Sequence, residues 1–537
     1  MKGNRSYSRR AATVLSALLT AAALATQIYP VVSAQRRSTQ GKSECPVRVT
    51  ILQVNDVYQF SPVDSGKSGG LARVLTLRKK IMSESPNTLF LFSGDTISPS
   101  IESNTKQDGK ALQGRQMIEA WNLAGLDYAT FGNHEFDFGP GVLLERVRES
   151  NFKWLGANVL DKKTGKTFAA TPQFVVREFQ GVKIGIFGLL LPDTLKSSSP
   201  GHDIEIRDPC KTAAQVIPRM RAAGARVIVA LTHLSMSEDK QLARCSGVDL
   251  IIGGHEHTLL ESMAGRAPIF KMTADARELG QIDLNISRAT GKVESIDWKI
   301  WPVTKDVEED VAFAPLNEKY GPLLKSLDQV VGRTEVKLDL RSADLRTHET
   351  NMADFIADLY RESTGADVAL VNGGSIRADS EIPPGDIMRR DVLGILPYNN
   401  RILKIEIAGA VLRAALEYGV GGVGPGEQPG RFPQVSGMRY SYDARLKPGA
   451  RLTSVTVNGQ PLDDKRNYTL ALNDYVALKA GDGYDMFRKA KMLLGPDDAP
   501  LEAEVLMKAI TSVPAIAPKV DGRITRVDTA RGQATCN

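Results

Sequence analysis

A layered α/β fold with mixed sheets is predicted for the larger, N-terminal part of this 537-residue chain, on three observations. Between residues 45 and 303, short apolar runs alternate with amphipathic stretches of helical spacing, the pattern of strands interleaved with helices. Two turn signals, Gln180-Gly181 and Thr290-Gly291, join neighbouring strand-like runs as hairpins, so parallel and antiparallel pairs must coexist. Several apolar runs also end on polar, chemically competent residues, and a rigid sheet can bring such side chains together at one rim.

Taken in order, the strand-like runs are residues 49–54, 88–92, 128–131, 227–231 and 249–252. Leu71, Val74, Leu75, Leu77 and Ile81 recur at helical spacing between the first two. Met117, Ile118, Trp121 and Leu123 predict another helix. Residues 306–331 are acidic at first and then periodic, with Pro315 and Pro322, and read as a connecting helix. A second unit follows, with helices at 351–362 and 410–418 and strands at 368–371, 438–442, 452–457 and 468–472. Its stretch 419–430 is rich in glycine and proline but lacks the Gly-Lys-Ser/Thr ending of a phosphate-cradling loop. It reads as a flexible surface loop. The expected division is therefore 1–34 as a leader, 45–305 and 332–528 as two domains, and 306–331 as the linker.

The leader carries Arg5, Arg9 and Arg10, then the small apolar stretch 11–25, then Val32-Ser33-Ala34. That is the pattern of a secretory signal cleaved near Ala34. The formal net charge of +6 falls to +2 without this segment's four basic residues, which removes the case for nucleic-acid binding. No later run is long and apolar enough to span a bilayer, and the polar tail argues against a glycolipid anchor. The expected product is periplasmic or secreted. Cys45, Cys210, Cys245 and Cys536 permit two disulfides in an exported protein, and Cys210 with Cys245 is the expected pair because both fall in one domain.

Four of the six histidines lie where a strand runs into a loop. His134 stands in Gly132-Asn133-His134-Glu135-Phe136-Asp137, His233 closes an apolar run, and His255 and His257 close Gly253-Gly254-His255-Glu256-His257. Asp56 and Asp95 follow two further strands. Oxygen and imidazole donors with almost no sulfur suit a hard-to-borderline divalent metal. Asp56, Asp95, Asn133, His233, His255 and His257 suffice for two ions if Asp95, on the expected central strand, bridges them. Two such ions clamp a phosphoryl oxygen and acidify a bound water, whose hydroxide attacks phosphorus. His134 and Asp137, three residues apart, form a separate pair in which the carboxylate orients the imidazole for general acid work.

With Asn55-Asp56-Val57-Tyr58, Ser93-Gly94-Asp95, the Gly-Asn-His-Glu block, Thr232-His233 and Gly-Gly-His-Glu-His in this order, the chain resembles the metallophosphoesterases, and more narrowly the exported 5′-nucleotidases and UDP-sugar hydrolases. The resemblance spans nearly all of the chain beyond the leader. It implies a four-layer αββα catalytic domain with a di-metal centre (zinc, manganese, cobalt or iron), joined by a helix to a smaller α+β nucleotide-binding domain that rotates against it. One position departs from the family pattern: the residue two after Asp56 is usually histidine, and here it is Tyr58. A neutral phenol is a poor zinc ligand, whereas a phenolate suits a harder ion.

The second unit also carries groups suited to a nucleotide. Arg377, in Asn372-Gly373-Gly374-Ser375-Ile376-Arg377, presents a fork for phosphate, and Arg346 precedes a helix start. Tyr398 and Tyr475 are loop aromatics able to sandwich a base, and Asp482 suits ribose hydroxyls. The resemblance implies that Arg346, Asn372 and Arg377 contact substrate, that Tyr398 and Tyr475 stack the base, and that Asp482 holds ribose. The expected activity is phosphate release from nucleoside 5′-phosphates. The alternatives are UDP-sugar hydrolysis, 2′,3′-cyclic-nucleotide cleavage, or nucleotide sequestration without turnover. The expected partner is a small-molecule nucleotide, met by a monomer or homodimer without a membrane anchor.

Overall fold

The computed structural model describes residues 45–529 other than residue 65; the expected leader and Cys536 lie outside the described residues. The first apolar runs form β1 (Val47–Val54), β2 (Thr88–Phe92), β3 (Tyr128–Thr130) and β4 (Lys153–Leu155), which pair in parallel. Between them lie α1 (Leu71–Glu84), α2 (Arg115–Ala124) and α3 (Gly139–Glu149). Gly125, in the left-handed region at φ 70°, ends α2 and returns its amide to the Trp121 carbonyl, the conformation that favours glycine at a helix end. β5 (Phe174–Phe179) and β6 (Val182–Leu190) form the hairpin expected at Gln180-Gly181, with both turn residues at positive φ.

α4 (Pro209–Ala222), β7 (Val227–His233), α5 (Met236–Ser246), β8 (Leu250–Gly253), β9 (Leu260–Ala264) and β10 (Ala267–Lys271) complete a second sheet. β11 (Glu278–Ile286) and β12 (Val293–Pro302) then return to the first sheet as antiparallel strands beside β1. The strand orders are β12-β11-β1-β2-β3-β4 and β9-β10-β8-β7-β6-β5. Strand side chains alternate between faces, and both faces here are apolar. Val47, Val49, Ile51, Leu89 and Leu91 pack against Ile184, Ile186, Val229 and Leu231 of the other sheet. Leu52, Val54, Phe90 and Phe92 instead join the layer of Leu75, Met117 and Trp121 from the helices. Burying each such side chain contributes about 1.5–3 kcal/mol, and only the αββα sandwich buries both sets. Cys210 of α4 and Cys245 of α5 are disulfide-bonded as expected.

α6 (Ala314–Leu324) is the expected connecting helix, flanked by single-turn helices. It is docked rather than free: Leu316 and Tyr320 lie in the first domain's core, and Lys319 pairs with Glu119 at 2.7 Å. Beyond it, α7 (Asn351–Thr364) and α8 (Gly409–Val420) accompany a five-stranded sheet of β13 (Val368–Asn372), β14 (Ile402–Ala408), β15 (Pro433–Ser436), β16 (Asn467–Asn473) and β17 (Lys491–Leu494), ordered β15-β13-β16-β14-β17. A four-stranded sheet packs beside it.

Residues 421–430 form the expected loop after α8. It reaches the first domain, where Glu427 accepts from the Ser237 amide at 2.9 Å and Gln428 bonds Thr258, and within its own domain Gly430 accepts from the Gly374 amide at 2.7 Å. Here glycine serves close backbone approach. A Cβ on Gly374 would stand 3.0 Å from the Gly430 Cα.

Candidate active site

β1, β2, β3, β7 and β8 all point their C-terminal ends at one rim, and the six metal-ligand candidates sit there. Asp56, Asp95 and His255 occupy left-handed backbone, at φ 53°, 68° and 83°, a conformation costly for non-glycine residues and concentrated at functional sites. Asp56, Asp95 and His233 are buried and bring one ligand atom each within 4.8 Å of one another. His233 Nε2 lies 3.1 Å from Asp95 Oδ2, and His257 Nε2 lies 3.4 Å from Asp56 Oδ1. His233 Nδ1 donates to the Ser93 carbonyl at 2.7 Å, which leaves Nε2 facing the carboxylates.

These residues fit a metal centre. His233 Nε2 and Asn133 Oδ1 are buried without a hydrogen-bond partner, a costly state unless a cation satisfies them. The Nδ1 bond from His233 to the Ser93 carbonyl is of the kind that orients a ligating imidazole through its other nitrogen. Burial, reinforced by His233, holds His255 well below its ordinary value, so it is neutral as a ligand must be. Burial alone would raise Asp95, yet His233 and His134 hold it far below the usual carboxylate range.

Tyr58 lies among these donors. Its hydroxyl is 3.0 Å from His257 Nε2 and 3.4 Å from both Asp56 Oδ1 and Asp95 Oδ2. Burial pushes its phenol well above the ordinary value, against the pull of Arg377.

Beside the cluster, His134 Nδ1 is 2.8 Å from Asp137 Oδ2, and Asp137 accepts in turn from Ser198 at 2.7 Å. The His134 amide donates to Asp95 Oδ1 at 2.8 Å, and its Nε2 lies 4.0 Å from Asp95 Oδ2. The three-residue spacing works because Asn133–Phe136 forms a single helical turn.

Three supports escaped the sequence reading. Glu135 is fully buried and accepts from the amides of Asp95 at 2.9 Å and Thr96 at 2.7 Å; burial and the Asp95 charge raise it to about 7. Its place inside the Gly-Asn-His-Glu block was the available signal. Lys271, at the end of β10, is buried and ties the Leu234 and Gly254 carbonyls to Asp239 and Glu256, which holds the loop bearing His255 and His257. Asp379, of the second domain, places Oδ2 3.0 Å from His257 Nδ1; nothing but its nearness to Arg377 in sequence pointed to it.

The second domain closes over this rim, and a cavity of about 660 Å³ separates the two. Asp95, Asn133, His134, Asp137, His255 and His257 line it from one side; Arg346, Asn372, Arg377, Tyr398, Tyr475 and Asp482 line it from the other. Asp56 and His233 lie beneath its floor, fully buried. Arg346 and Arg377 are buried cations; burial, with Arg377's charge, lowers the Arg346 pKa. Two desolvated guanidiniums at one cavity favour an anion between them. Asp482 accepts from Asn372 at 2.7 Å and from the Tyr475 hydroxyl at 3.1 Å. The Tyr398 ring faces His134 at 6.1 Å.

Residues 49–259 match the family model described as calcineurin-like phosphoesterase, and residues 330–489 match that of the 5′-nucleotidase C-terminal domain. The trifunctional nucleotide phosphoesterase protein YfkN of Bacillus subtilis is 31% identical over 89% of this chain, which spans only 35% of that protein's length. A snake venom 5′-nucleotidase of Gloydius brevicauda is 28% identical, over 89% of this chain and 88% of its own. Among solved structures, a 5′-nucleotidase precursor of Thermus thermophilus superposes with a TM-score of 0.80 at 27% identity, covering 90% of this chain and 99% of that one.

Proposed function

This chain belongs to the two-domain 5′-nucleotidase family of calcineurin-like phosphoesterases, hydrolases of phosphate monoesters, and from that premise we propose that it is an exported di-metal enzyme releasing phosphate from nucleoside 5′-phosphates. One observation carries the reading: a cluster of metal donors faces two buried arginines and two tyrosines across a single cavity. Asp56, Asp95, Asn133, His233, His255 and His257 would hold two divalent ions, supplying the Lewis acid that polarises the phosphoryl group and acidifies the attacking water.

The chain's own residues do the rest. Arg346 and Arg377 clamp the phosphate oxygens, so the phosphorus is presented to the rim of the first domain. Asp137 accepts the Nδ1 proton of His134, leaving Nε2 toward the cavity; protonated there, it binds a phosphoryl oxygen and supports departure of the nucleoside oxygen. Tyr398 and Tyr475 bracket the base, and Asp482 accepts from ribose hydroxyls. Export is supported by the Cys210–Cys245 disulfide, a bond of oxidising compartments, and by the basic, apolar and small-residue pattern at 1–34. No helix among the described residues is long and apolar enough to cross a membrane.

The test is phosphate release by metal-stripped protein with zinc, manganese, cobalt or iron restored, on AMP, ADP, ATP, UDP-glucose and 2′,3′-cyclic AMP, beside His134→Ala. The expected result is metal-restored release from AMP, with kcat lowered about 10²–10⁴-fold in the variant and its metal content kept. Equal rates for both proteins would remove His134 from the chemistry. Preference for UDP-glucose or the cyclic nucleotide would move the substrate assignment within the same scaffold.

A further inference from the structure

Four donor atoms bound at about 2.0–2.1 Å to one tetrahedral ion stand roughly 3.3 Å apart along its edges. The Tyr58 hydroxyl meets that spacing three times over: 3.0 Å to His257 Nε2, 3.4 Å to Asp56 Oδ1 and 3.4 Å to Asp95 Oδ2. Asp56 Oδ1 and His257 Nε2 keep it between themselves, at 3.4 Å. Here the oxygen stands at a vertex of the ligand set.

We propose that Tyr58 is a ligand of the metal position it shares with Asp56, Asp95 and His257, and that this makes the position selective for a hard trivalent ion such as ferric iron; the inference rests on the two-ion reading above and puts a trivalent ion in place of one of its two divalent ions. Oxygen donors from two carboxylates and a phenol outnumber the one imidazole there. The neighbouring position draws on Asp95, Asn133, His233 and His255, with two imidazoles, and suits a borderline divalent ion such as zinc. The two halves of the centre therefore differ in hardness.

The second domain supports the same assignment. Arg377 Nη2 donates to the Tyr58 hydroxyl at 2.8 Å, with its guanidinium over the ring at 5.1 Å. That bond fixes the hydroxyl oxygen at the vertex. Asp379, two residues on, holds the opposite nitrogen of His257, the arrangement that orients a ligating imidazole. Binding exchanges the phenol proton, released to solvent, for the ion, and no electron is transferred.

The experiment loads the metal-stripped full chain with ferric citrate and then zinc, and reads iron and zinc per chain together with the visible spectrum. The wild type is expected to hold both ions and to show a phenolate-to-iron charge-transfer band. Tyr58→Phe is expected to lose the band and to weaken iron binding at least about 10-fold, while retaining zinc. Tyr58→His, a second variant that keeps a donor at the vertex, is expected to hold two zinc ions without colour. Iron bound without a band, or a band that survives in Tyr58→Phe, overturns the role of Tyr58 and leaves the two-ion reading standing. Failure of the wild type to bind any metal overturns both.

Discussion

Asp56, Asp95 and His255 hold backbone angles that non-glycine residues avoid, each at a cost of order 1–3 kcal/mol. Their neighbours compensate. Glu135 takes the Asp95 and Thr96 amides, the His255 amide donates to Asp56 Oδ2 at 2.9 Å, and Lys271 ties down the carbonyl before His255. Gly132 matters for a different reason. Its own backbone is extended, at φ −104°, but a Cβ there would lie 2.1 Å from Asp95 Oδ1. Gly132→Ala should therefore drive the Asp95 carboxylate off its position, abolishing the metal retention expected of the proposed site and destabilising the fold by about 1–3 kcal/mol. Metal analysis and thermal melting check this; a variant with full metal content would show that the collision is relieved without moving Asp95. At this scale the ligand candidates were legible in the sequence because each ends a strand. Lys271 and Asp379 were not, since they act through space from β10 and from the other domain.

Among elements, strand ends and hairpins were read closely from alternation and turn chemistry, and β2 begins and ends where expected. Residues 421–430 are a loop as read, but composition gave no sign of its contacts, where glycine permits close backbone approach. The helix at Glu502–Thr511 shows a third kind of case. Glu502, in its first turn, is buried and accepts from Tyr360 and from Asn400. Burial raises its pKa to about 7, whereas the unfolded chain titrates near about 4.3. The folded state thus binds the proton more tightly. Stability from this group is fully present below about pH 4.3 and is lost as the pH rises to about 7, by up to about 1.4 kcal/mol per unit. Urea midpoints measured across that window should fall less steeply in Glu502→Gln than in the wild type. Parallel profiles would show that another group carries the slope.

At the level of the whole molecule, the metal-ligand candidates come from one domain and the groups facing them across the cavity from the other, so the proposed function predicts that catalysis and substrate choice are separable. Tyr475→Ala should lower kcat/KM for AMP by about 1–3 kcal/mol, the contribution of one base stack, and leave hydrolysis of a small aryl phosphate unchanged. Loss on both substrates would place Tyr475 in the fold of the site rather than in base recognition. The order of motifs along the chain by itself identified the family and, through it, the αββα class, and it singled out the metal-donor candidates, the His134–Asp137 pair and the nucleotide-facing block of the proposed site, because those blocks are each written in a few adjacent residues near a strand end. Only the tertiary structure decided that Tyr58 puts its oxygen among the metal-ligand candidates, that Arg377 and Asp379 reach that oxygen and His257 from the other domain, and that α6 docks on the first core. These depend on the closing of one folded domain on another. Contacts between residues more than a hundred positions apart are set by packing, and packing leaves no local trace in sequence.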